Sequence, residues 1–86
     1  MKEKKNVKLS KLRKEIDIID NKIIYLLGRR VKIARHIINL KKHQGLKIHD
    51  QKREKEILNR LKSKNLVKPS LIDKIWKALF ENARKK

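Results

Sequence analysis

Arg30 interrupts a row of Leu and Ile residues that recur every three or four positions: Leu9, Leu12, Ile16, Ile19, Ile23, Leu26, Arg30, Ile33, Ile37 and Leu40. That spacing is the seam of a long helix packed as in a coiled coil. A guanidinium on a buried seam is costly unless something anionic meets it, and no other member of the row is charged. Its partner is therefore either a carboxylate elsewhere in the fold or an anionic ligand. Lys41 follows eleven residues later, about 20° around the helix and roughly 16 Å along it, so the two cations point the same way. A small dianion fits between two such side chains. Asp50-Gln51-Lys52-Arg53-Glu54 adds two acids and another cation at the start of a second helical pattern. Arg53 opposes the dipole of a first helical turn, and Glu54 lies on an inward stripe, where it needs a donor or a cation. Arg13 sits about 26 Å before Arg30 and about 100° away on the same helix, so it reaches that region only from an antiparallel second chain.

Each of these residues also has a plain structural reading. Lys41 is a cation near a helix C-terminus, Asp50 an N-cap, and Arg13 a surface residue on an early turn. Arg53 pairs with Asp50 or another acid, and Glu54 pairs with Arg30 or Lys41. The sequence offers no nucleophile–base pair, phosphate-binding Gly loop or metal cluster. Cations converging with one or two acids suit a small polycarboxylate. Catalysis there would come from positioning and electrostatics, with no covalent intermediate.

The elements that must position these groups are helical. Residues 1–7 read as a disordered basic tail and 8–86 as one helical domain. The first helix runs from about Leu9 to His43, where Gln44-Gly45 ends it. Asp50 caps a second helix to about Asn65, with Glu54, Ile57, Leu58 and Leu61 inward. Pro69 fits the first turn of a third, which places Ile72, Ile75, Trp76, Leu79, Phe80 and Ala83 on one face. By length, the second and third helices together could line one face of the first, end to end. Ile24, Leu27, Val31, Ala34 and Ile38 widen the first helix's apolar surface, which calls for a second copy. The expected fold is all-α, three helices per chain, in an intertwined homodimer.

The balance of 27 Lys plus Arg against 9 Asp plus Glu gives +18 and predicts attraction to anions. Many of the Lys residues fall on outer helix positions, as on a solvated basic surface. A small basic nucleic-acid binder is a rival reading, but it leaves the inward Arg30 and Glu54 unexplained, and Tyr25, Trp76 and Phe80 are placed for packing. There is no Cys, so no disulfide frame. The opening residues have no apolar stretch of the kind a signal peptide carries. No segment approaches the ~20 apolar residues of a membrane span, and the expected compartment is the cytoplasm.

Four segments together carry a family resemblance: Leu12-Arg13-Lys14-Glu15-Ile16-Asp17 with Asp20 and Lys22; Leu27-Gly28-Arg29-Arg30; Lys41; and Asp50-Gln51-Lys52-Arg53-Glu54. Each is weak alone and specific in combination. From Leu12 to about Arg84 the chain resembles the all-helical (type II) chorismate mutases. The resemblance implies an intertwined dimer with two shared sites and a rearrangement of chorismate to prephenate, without metal or cofactor, in the phenylalanine and tyrosine branch of aromatic amino-acid biosynthesis. It implies that Arg30, with Arg13 from the other chain, binds the two substrate carboxylates. Lys41 would donate to a carboxylate and to the ether oxygen, and Glu54 would accept from the ring hydroxyl. Asp50 and Arg53 would shape and cover the site. Late in its third helix the family has a Ser or Asn and, one turn on, a Gln. Here those positions fall on Ala83 without a gap, or on Asn82 and Lys86 after a shift of one. Loss of the Gln is expected to weaken rate more than binding. Isochorismate-pyruvate lyases also resemble the Leu27-Gly28-Arg29-Arg30 stretch, but the Asp50-Arg53-Glu54 set favours the mutase.

Overall fold

The structure is a computed structural model that describes the backbone of residues 2–85 and the side chains of residues 7–85. It consists of α1 (Lys2–His43), α2 (Gln51–Lys62) and α3 (Pro69–Arg84), with no strand among the described residues. The fold is therefore all-α, as the period of the apolar residues requires. The chain divides into two compact units, Met1–Arg30 and Val31–Lys86.

The first unit is a helical stretch whose apolar residues have no helix of their own unit to meet. Leu9, Leu12, Ile16, Ile19, Ile23 and Leu26 are all 47–58% exposed. The helix is described from Lys2, and Met1 lies outside the described residues. Residues 2–7 contain neither Pro nor Gly. Extending a helix that already exists adds one backbone hydrogen bond per residue fixed, so no second nucleation cost arises.

In the second unit, α1 stops at a glycine cap. Gly45 adopts a left-handed φ of 69°, its N–H donates to the Lys42 carbonyl at 3.2 Å, and the Leu46 N–H reaches the Lys41 carbonyl at 2.8 Å. This is the pairing that closes orphan carbonyls at a helix end, and it suits a residue without Cβ. Asp50 caps α2, its Oδ1 accepting from the Arg53 N–H at 3.0 Å. Helix α2 ends at Lys62 instead of near Asn65. Ser63 Oγ donates to the Arg60 carbonyl at 2.7 Å, and Asn65 turns left-handed with φ 55°, as Asn tolerates better than most residues.

That turn reverses the chain. Helix α2 packs against α3 in antiparallel fashion: the start of α2 pairs with the end of α3 through Glu54–Arg84, and its end pairs with the start of α3 through Lys62–Asp73 at 2.8 Å. The end-to-end arrangement of α2 and α3 along α1 is thus replaced by a hairpin. Its core is Ile57, Ile72 and Phe80, each 5–8% exposed. Burying side chains of this kind contributes about 1.5–3 kcal/mol each. Leu58, Leu61, Trp76, Leu79 and Ala83 are half-buried around them, while Ile75 stays exposed.

Candidate active site

The glycine cap of α1 and the N-cap of α2 bring the last turn of one helix near the first turn of the next. Lys41 Nζ lies 3.9 Å from Asp50 Oδ2, with the Lys41 side chain 24% exposed. Asp50 thus does two jobs: one oxygen caps α2 and the other faces a cation. The Arg53 side chain points to Glu56, Nη1 to Oε1 at 3.8 Å, on an exposed face. Asp50 therefore holds Arg53 through its backbone, and the guanidinium is left to a solvent-screened pair of small energetic weight.

Glu54 is the most sheltered acid of this group, at 24% side-chain exposure. Two groups of the second unit reach its carboxylate. Arg84 Nη1 donates to its Oε2, and His49 Nε2 lies 3.4 Å from its Oε1. Beside Arg84 opens a hollow of about 170 Å³, walled by Arg35, Ile38, Asn39 and Lys42 of α1 and by Ala83, Arg84 and Lys85 at the end of α3. Its polar walls are cationic apart from Asn39, so it favours an anion.

The remaining candidates stand as follows. Asn82 is exposed, and Ala83 is half-buried on the wall of the hollow. Lys86 lies outside the described residues. In the first unit, Arg13 is exposed and Arg30 half-buried. The second unit thus brings together Lys41, Asp50, Glu54 and Arg84 through two chains of contact, Lys41–Asp50 and His49–Glu54–Arg84.

Residues 12–86 match the family described as chorismate mutase type II. The chain belongs to the chorismate mutase type II family. A chorismate mutase of Methanocaldococcus jannaschii is 38% identical over 80 residues, covering 87% of this chain and 79% of that one. A bifunctional chorismate mutase/prephenate dehydratase of Aquifex aeolicus is 45% identical over 53 residues, which is 62% of this chain and 15% of that protein. A 3-dehydroquinate dehydratase of Pyrobaculum aerophilum is 40% identical over 52 residues, 60% of this chain and 17% of that protein. No solved structure matches the chain.

For a chorismate mutase chain, the residues that sequence reasoning missed are Arg84 and His49. A signal for Arg84 was present. Six residues, 63–68, join α2 to α3, and so short a connection makes antiparallel neighbours. In that arrangement an acid in the first turn of α2 faces the last turn of α3, where Arg84 is the only Arg. His49 adjoins the N-cap and reaches Glu54 locally. No helix among the described residues is long and apolar enough to cross a membrane.

Proposed function

We propose that this chain rearranges chorismate to prephenate in a homodimer whose two sites each draw residues from both protomers. The observation that carries the reading is the family match over residues 12–86, which spans every residue assigned a role. The exposed stripe from Leu9 to Leu26 supports the dimer, because contiguous apolar surface of this extent marks a partner site. A second copy laid antiparallel along the stripe would bring in the partner subunit's Arg13.

In the reaction, the ether C–O bond breaks as a C–C bond forms within one molecule, and no proton changes hands. The protein's work is to hold the side chain of the substrate folded over its ring and to stabilise charge that grows on the ether oxygen. Arg30 and the partner subunit's Arg13 take the two carboxylates. Lys41, kept in place by Asp50, donates to a carboxylate and to the ether oxygen. Glu54 accepts from the ring hydroxyl, and Arg53 with Asp50 covers the site. Ala83 offers no donor, while Asn82 and Lys86 offer donors near the end of the chain.

The decisive experiment follows chorismate disappearance and prephenate appearance. Arg30→Ala should abolish turnover and Lys41→Ala should reduce it strongly. Neither of two inactive chains, Arg13→Ala and Arg30→Ala, has an intact site alone, yet mixing them should restore activity, because one site per heterodimer regains both Arg residues. Equal rates in wild type and single variants, or no recovery after verified subunit exchange, would remove the assigned site. Salicylate from isochorismate with no prephenate from chorismate would transfer the protein to lyase chemistry.

A further inference from the structure

A Glu side chain carries enough rotamer freedom to cost about 1.5–2 kcal/mol when fixed. Glu54 projects from the first turn of α2, and its carboxylate can swing unless something pins it. Two groups from outside α2 do. His49 Nε2 stands 3.4 Å from Oε1, a long contact from a ring in the preceding loop that is itself 38% exposed. Arg84 Nη1 donates to Oε2 from the end of α3, with 28% of its side chain exposed. A charge-assisted hydrogen bond from a planar guanidinium fixes direction as well as distance. The hollow strengthens the pairing from the other side. Arg35, Lys42 and Lys85 share its wall with Arg84, so like charges there favour turning that guanidinium toward the nearest carboxylate.

An ionised carboxylate has about four lone-pair sites. One donor on each oxygen leaves acceptor capacity for a hydroxyl. We infer that Arg84 is a positioning residue: it holds Glu54 in one orientation so that the remaining lone pairs accept from a substrate hydroxyl without first being ordered. Arg84 touches no reacting atom in this scheme and acts through Glu54 alone. The inference rests on the proposed role of Glu54, and it assigns to α3 a contribution that neither Ala83 nor Asn82 supplies.

The test is a double-mutant cycle on the full chain, with Arg84→Gln, Glu54→Gln and the double variant, assayed on chorismate below the melting temperature of each. Arg84→Gln should lower kcat/KM on the order of 10- to 100-fold, the scale of a misplaced catalytic group, and mostly through kcat. Arg84→Lys should recover part of that loss. In the Glu54→Gln background, replacing Arg84 should change the rate less than about 2-fold, because its only route of action is already gone. The nuclear magnetic resonance spectrum supplies a readout independent of turnover: the two Glu54 γ-protons should be distinct in the wild type and averaged in Arg84→Gln. Full activity in Arg84→Gln, additive losses in the double variant, or unchanged γ-protons would overturn the inference while leaving the role of Glu54 intact. If Glu54→Gln itself turns over chorismate at the wild-type rate, the role of Glu54 falls, and this inference with it.

Discussion

The helical stretch that ends at Arg30 and the hairpin of α2 and α3 use the same apolar side chains to different effect. Leu9, Leu12, Ile16, Ile19, Ile23 and Leu26 remain 47–58% exposed, whereas Ile57, Ile72 and Phe80 fall to 5–8%. Composition does not separate the two regions; the availability of a partner does. The hairpin finds its partner six residues away along the chain, and the short turn brings it back. The long stretch repeats a three–four spacing that suits a helical partner, and its own unit supplies none.

The largest expected effect breaks the seam. Ile19→Asp places a carboxylate in the row, and both dimer and turnover should be lost, as read by sedimentation equilibrium and the chorismate assay. A wild-type chain that sediments as a folded monomer at micromolar concentration would dissolve the contrast altogether. Next comes the hairpin core. Ile72→Ala should lower stability by about 2–4 kcal/mol, measured by urea unfolding at fixed protein concentration. A cost under about 1 kcal/mol would mean that the hairpin has no real core and that both regions depend on a partner.

The smallest effect concerns the Lys62–Asp73 tie. The Asp73 carboxyl is held below the usual carboxylate range, chiefly by the hydrogen bond from Lys62, with the charges of Lys62 and Lys77 adding to it. A depressed carboxyl contributes stability above its unfolded-state pKa of about 3.9, and that contribution is lost as acid takes the pH down through the lowered value. Asp73→Asn should therefore be slightly less stable than wild type near pH 6 and should lose less between pH 4 and 2. Parallel melting curves for the two chains over that range would show the tie contributes nothing.

How much of this was legible depends on the range over which each signal acts. The stop at Gly45, the cap at Asp50 and the start at Pro69 were readable because each is decided by its neighbours. The inward stripes of α2 and α3 were readable because helical period fixes a face. The end of α2 came three residues early, where a Ser–backbone bond competes with the helix. Arg84 as a partner of Glu54 was missed for a different reason. Inwardness could be read from period, but the identity of the cation depends on the sense in which α3 returns, and that is set by the turn around Asn65. Arg30 and Arg13 remain assigned by resemblance, because their proposed setting requires a second chain.

Gly45 does more than end a helix. By closing α1 with the Leu46 N–H on the Lys41 carbonyl, it fixes where residues 46–49 set out and hence how far Asp50 lands from the Lys41 ammonium. Most residues with a Cβ would carry a strain of roughly 1–2 kcal/mol at φ 69°, a strain that unwinding the last turn would relieve. The Lys41 ammonium is therefore hostage to a residue with no side chain: the length of the first helix is a calibration, and its stop codes for the spacing of charges.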